Sequence, residues 1–279
     1  MSWNKCFRRF LDKVDVKILV IIISIFPVTS FAENWEVTAK QAFYEIEADP
    51  FNNTNMDNSA KKIASALGND PENPWVLIAV SRLILEAGYI KGDRSRMSTY
   101  SPGTVEESGR YAREALKHGN GNGMAHVQFS KIQMINGDLK GAWLTLNRAH
   151  GINPDDFYPW YYRAVISVRM KDFKKADSYL NEAEERAAQH YQESWVAARR
   201  ISVAKLIGDE VGIDSAYKKS IEVDPLSPHK YGNYANYLKR KKRYKEAIDY
   251  YQKAISISPY PIALKGIEEA RQLLSSSAN

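Results

Sequence analysis

Between Gly123 and Pro261 the same kinds of side chain return every 34 residues, so this stretch is expected to fold as stacked, self-similar units and not around a single core. The clearest unit, Pro228 to Pro261, reads PHKYGNYANYLKRKKRYKEAIDYYQKAISISPYP. Tyr231, Ala235 and Leu238 hold its fourth, eighth and eleventh places, and Ala247, Tyr251, Ala254 and Pro259 its twentieth, twenty-fourth, twenty-seventh and thirty-second. A copy from 194 to 227 keeps Gly208, Asp209, Tyr217 and Pro225 in phase but has Ile201 and Ile213 where small residues stand elsewhere. Copies from 157 to 190 (Trp160, Ala164, Phe173, Ala176, Ala183), with three extra residues before the next one, and from 123 to 156 (Gly137, Asp138, Ala142, Ala149, Pro154) continue the pattern upstream.

Each place has a physical reason. Small residues let two helices approach closely while aromatics fill the wider gaps, and a proline near the end stops the second helix because it lacks an N–H and restricts the residue before it. Gly137-Asp138, Lys171-Asp172 and Gly208-Asp209 predict the turn between paired helices. One pair cannot bury its apolar face alone, so pairs must stack.

Outside the clear copies the phase weakens. Asn73, Pro74 and Trp75 open a helix whose partner, carrying Ala112 and Ala115, begins late, which puts a long loop around Gly88 to Gly103. Thr104 and Glu107 have the spacing of a capping box and predict the start of that partner helix. Trp35, Ala39, Ala42, Phe43 and Ile46, then Ala60, Ile63, Ala64 and Leu67, predict an atypical first pair over 33–72. Ala263, Ile267, Ala270 and Leu274 predict a capping helix within 262–279 that ends in a frayed tail, Ser275 to Asn279.

Lys5, Arg8, Arg9, Lys13 and Lys17 precede the apolar run Ile18 to Phe26, then Pro27 and Ser30-Phe31-Ala32. That order predicts a secretory leader over residues 1–32, cut after Ala32. A retained membrane anchor is the alternative, although a spanning helix needs about 20 apolar residues. The one cysteine, Cys6, falls in the leader, which suits an oxidising, periplasm-like compartment. Half of the net charge of +6 also falls there, leaving no basic stripe for nucleic acid.

The 34-residue pattern resembles the tetratricopeptide repeat. The resemblance implies an all-α fold, a right-handed α-solenoid of helical hairpins, and a concave groove lined by the first helix of each hairpin, where family members hold peptide or protein segments. The corresponding places here name Lys131, Tyr161, Val165, Val168, Arg199, Ser202, Lys205, Asn236 and Lys239 as candidate groove residues. Asn236, Asn233 and Arg199 are reminiscent of a carboxylate clamp, but Val127 stands where its first Lys belongs.

The five histidines, His118, His126, His150, His190 and His229, include no pair three or four apart, and neither a phosphate-binding glycine loop nor a nucleophile elbow occurs. Asp155-Asp156 follow Pro154, where an acid favours the next helix N-terminus. The dense run Lys239 to Arg243 straddles a helix end and its turn, where cations complement unsatisfied carbonyls; an acidic partner or anionic surface is the other reading. These features predict no cofactor, no metal and no catalytic residue. The expectation is an exported, non-enzymatic scaffold for a protein or peptide partner, of the kind used in envelope or secretion-system assembly, with membrane contact only if the leader is kept. The alternatives are a subunit of an envelope enzyme and a membrane-tethered structural subunit.

Overall fold

A computed structural model describes residues 34–276 apart from Phe51, so the expected leader and its cut site lie outside the described residues. Among the described residues there are thirteen α-helices and no strand. The chain divides into two compact units, the first ending at Met170 and the second beginning at Lys171.

In the first unit helices α1 (Trp35–Ala48) and α2 (Asn53–Asn69) pair, as do α3 (Pro74–Gly88) with α4 (Thr104–His118) and α5 (Gly123–Ile135) with α6 (Leu139–Ile152), followed by α7 (Phe157–Arg169). The second unit starts with α8 (Phe173–Glu185). It continues with the pairs α9 (His190–Ile207) and α10 (Glu210–Val223), and α11 (Pro228–Arg240) and α12 (Tyr244–Ile257), then α13 (Pro261–Ser276). Contacts between successive first helices, α1 with α3 and α3 with α5, stack the pairs of the first unit.

The turn chemistry explains why the helices break where they do. Gly137, Lys171, Gly208 and Lys242, all at the fifteenth place of their copies, have φ of 91°, 62°, 74° and 61°, the left-handed conformation that reverses the chain. The next residue caps the second helix: Asp138 accepts from the Gly141 N–H at 2.8 Å, Asp172 from Lys175 at 3.1 Å and Asp209 from Gly212 at 2.9 Å. The last copy has Arg243 there, and its guanidinium instead clamps Glu246 at 2.7 Å and reaches Asp214 on α10. The repeated alanines are the close-approach points, with Ala142, Ala164, Ala176, Ala183, Ala235, Ala247 and Ala254 all at 0% exposure. In the degenerate copy Ile213 takes such a place, and Tyr217 stacks on Tyr234 at 5.1 Å between ring centroids.

Two local readings differ. The capping box at Thr104 is not formed, because Gly103, with φ of 77°, is the N-cap of α4 and offers no side-chain acceptor. The Thr104 side chain packs on Gly88 instead, where an added Cβ would meet it at 2.1 Å. At the other end α13 runs through Ser276, so Ser275 and Ser276 are helical and not frayed; 277–279 lie outside the described residues.

Candidate functional site

In the first unit the row of candidate groove positions is buried. Lys131 on α5 is 5% exposed, and Tyr161 and Val165 on α7 are 8% and 2% exposed, while Val168 is half-buried. A charged cluster surrounds Lys131. Arg82 of α3, 3% exposed, reaches Glu47 at the end of α1 and Glu86 one turn along its own helix, 2.5 Å away, and Arg94 binds the other Glu86 oxygen. Burial opposes charge on Arg82, yet Glu47 and Glu86 hold its guanidinium above the ordinary range. Burial, then Arg82, push the Lys131 amine down to about 7, and Glu47 and Glu86 offset only part of that. The Lys131 Nζ lies 5.9 Å from the centre of the Tyr162 ring.

Beside this cluster a buried hydroxyl network ties three helices: Ser81 of α3 and Ser108 of α4 share a hydrogen bond of 2.8 Å, and Gln128 of α5 donates to Ser81 at 2.9 Å. The sequence reading did not single out either group. Arg82 inside the apolar run VLIAVSRLIL was the available signal, since a charge in such a stripe is buried only with a partner.

The long loop after α3 is itself folded. Tyr89 and Tyr100 form an isolated bridge, Ser101 donates to Gly88 O at 2.8 Å and Ile90 to Thr99 O at 2.8 Å. The Tyr100 hydroxyl donates to Arg94 O at 2.9 Å. From α7, Arg169 donates to Ser95 O at 2.6 Å and to Met134 O at the end of α5. Arg169 thus ties the loop to the C-terminal ends of α5 and α7, and Ser95 within the loop is 3% exposed.

The second unit is different. Arg199, Ser202, Asn236 and Lys239 are half-buried and Lys205 is exposed. Lys205 donates to the Tyr217 hydroxyl at 2.6 Å, and Asn236 accepts from the Tyr251 hydroxyl at 2.7 Å. Ser202 donates back to Ala198 O at 3.1 Å. Lys239 holds Glu269 of α13 at 2.5 Å; burial would lower its pKa, but the bond to Glu269 raises it. His229 and Gly232, at the second and fifth places of the same copy, both meet Tyr260, with which His229 shares a 3.3 Å hydrogen bond. Much of the basic run is also paired within the unit, Lys241 with Glu210 at 2.5 Å and Arg243 with Asp214. The structure thus brings Arg199, Ser202 and Lys205 together on α9, and Asn236 and Lys239 on α11.

Comparison with known proteins agrees with this architecture. Residues 228–261 match the tetratricopeptide repeat model. The TPR repeat-containing protein MJ1428 of Methanocaldococcus jannaschii is 25% identical over 120 residues, covering 43% of this chain and 20% of its own length. The chain thus matches about a fifth of that relative. TTC0263, a thermophilic TPR protein of Thermus thermophilus, superposes with a TM-score of 0.56 at 16% identity, covering 72% of this chain and 98% of that one. Yeast Tom70 superposes with a TM-score of 0.55 at 12% identity, over 99% of this chain and 61% of that one. The fold is a tetratricopeptide α-solenoid.

Proposed function

We propose that this tetratricopeptide-repeat chain is exported and acts as a non-enzymatic scaffold, holding a segment of another protein along the first helices of its second unit. One observation carries the reading. Lys239 and Lys205 occupy the same place in successive copies, and Lys239 receives its carboxylate from Glu269 of the following helix. At the corresponding position after Lys205, 34 residues before Glu269, stands Ala235. Among the described residues Lys205 therefore has no carboxylate at its ammonium, which meets the hydroxyl and ring of Tyr217, a place suited to a carboxylate supplied from outside. Arg199 and Ser202 lie on the same helix and Asn236 on the next, whereas the counterparts in the first unit are occupied by its own side chains.

Export is supported by the leader-like order of residues 1–32, and an assembly role in the cell envelope fits an exported repeat scaffold. The exported protein should have an intact mass that begins at Glu33; recovery with residues 1–32 attached would favour a membrane-tethered subunit.

The groove reading is tested by panning the mature chain against peptides displayed with their C-terminal carboxylates available. Selected peptides should carry an acidic group or terminal carboxylate, and the double variant Arg199→Glu, Lys205→Glu should bind them tenfold or more weakly at an unchanged melting temperature. Added salt should weaken the wild-type complex, since exposed charge pairs are screened beyond about 8 Å at physiological ionic strength. Equal affinities for wild type and double variant would place binding elsewhere.

A further inference from the structure

A pocket of about 520 Å³ opens in the first unit between Tyr44 of α1, the N-terminal ends of α3 and α5, and the α6–α7 connection, within the size range of small-ligand sites. Its walls include two aromatic rings, Tyr44 of α1 and Trp75 of α3, with centroids 6.1 Å apart and planes tilted by 49°. Neither ring is fully packed away: Tyr44 is 39% exposed and Trp75 is half-buried. The third element is the carboxylate of Asp156, which accepts the Tyr158 N–H at 2.9 Å as the N-cap of α7. No cation lies within ion-pair distance of Asp156 among the described residues, and burial raises its pKa. The Tyr44 hydroxyl is also pushed up, first by burial and then by the negative charges of Asp156 and Glu47.

Two rings beside a carboxylate that caps α7 but has no ion-pair partner among the described residues make a place for positive charge. A ring face attracts a cation through its quadrupole, and a partly desolvated carboxylate gains most from a donor that carries charge. The Trp75 ring already shows this preference, because the ammonium of Lys40, which does not line the pocket, lies 5.0 Å from its centre. Lys40 does not spend its charge on the pocket, since Glu36 neutralises it at 2.5 Å. The pocket itself is left with the negative charge of Asp156. Asn153 adds a carboxamide to the lining whose oxygen can accept a remaining ammonium or guanidinium proton, while the Asn122 oxygen is already engaged by the Met124 and Ala125 N–H groups as the cap of α5.

We infer that the pocket between Tyr44, Trp75 and Asp156 binds the ammonium or guanidinium group of a basic side chain carried by the partner protein. The cation chemistry follows from the pocket alone; its assignment to a partner's side chain rests on the scaffold reading above. Such a site gives the scaffold a second point of attachment, of opposite charge preference to the lysine on α9.

The probes are capped single residues: Nα-acetyl-lysine N-methylamide, the arginine equivalent, and the uncharged norleucine equivalent. The readout is the indole ¹⁵N–H resonance of Trp75 in the full mature chain, identified with Trp75→Phe. Lysine or arginine probes should shift that resonance with a Kd on the order of millimolar, as suits one cation–π contact and one charge-assisted bond. Asp156→Asn should weaken both at least tenfold while leaving α7 folded, because Asn caps a helix as well as Asp does. Arg199→Glu, Lys205→Glu should leave probe binding unchanged. A norleucine probe that binds as well as lysine, or an Asp156→Asn chain with the same Kd, overturns the cation site. Choline binding more tightly than both basic probes overturns the assignment to a side chain. An octapeptide containing lysine should bind more tightly than the single residue; if it does not, the pocket keeps its cation and loses its partner protein.

Discussion

Replacing Arg82 by Met is expected to cost the first unit about 3–5 kcal/mol, the usual penalty for removing one member of a buried ionic group. The size follows from what remains. Glu47 and Glu86 are 1% and 8% exposed, and without the guanidinium between them they are two carboxylates facing each other in the interior. Arg94, 29% exposed at its side chain, can serve only Glu86. Urea unfolding followed by the far-ultraviolet signal should show an early transition for the first unit while the second unfolds as in wild type. Changing Glu47, Arg82, Glu86 and Lys131 together to apolar residues of similar volume should recover most of the loss, since the cost lies in uncompensated charge and not in lost packing. A loss below about 1 kcal/mol for Arg82→Met would contradict the cluster as described.

Lys131→Met is expected to do the opposite. In the folded chain the Lys131 amine is pushed down to about 7 by burial and by Arg82, whereas in the unfolded chain it keeps an ordinary lysine value. Between those values the unfolded chain binds one more proton, so folding stability rises with pH across that window. Below about 7 the ammonium is held in a site that disfavours it, and the penalty is complete. Through the window it shrinks, and above the ordinary lysine range it is gone. Met removes the charge and keeps the length of the side chain. The variant should therefore be more stable than wild type at pH 6, by on the order of 4 kcal/mol, with the gain fading as pH approaches 10. Urea titrations at pH 6, 8 and 10 check the sign and the slope. A Lys131→Met chain less stable than wild type at pH 6 would mean that the ammonium is paired and stabilising there.

The helical pairs could be read from the sequence because their cause is local. A left-handed residue at the fifteenth place, an Asp cap after it and alanines at three fixed places act within a 34-residue window, and each leaves its mark in successive copies. The Thr104 reading failed on an equally local point: Gly103 could take the left-handed conformation and become the cap, which the spacing of Thr and Glu does not reveal. The charged cluster was out of reach for a different reason. Glu47, Arg82 and Lys131 stand far apart along the chain and meet only because successive first helices lie side by side. The family pattern assigns Lys131, Tyr161 and Val165 to a ligand-facing surface, and whether such a surface is open depends on what the other helices and the folded loop bring to it. In the first unit they bring Arg82, Glu86 and Arg94. On α9 and α11 Arg199, Ser202, Lys205, Asn236 and Lys239 keep partial or full exposure, while Gly232 is covered by Tyr260.

The central claim, that the second unit carries the bound segment, is tested most directly by photo-crosslinking. A benzophenone side chain placed at Ser202 on α9, half-buried among the candidate groove residues, should join the selected peptide, and Arg199→Glu, Lys205→Glu should abolish the product. The same group at Leu144 on α6, 56% exposed in the first unit, serves as the reference and should give none. Crosslinks at Leu144 with none at Ser202 would contradict the account.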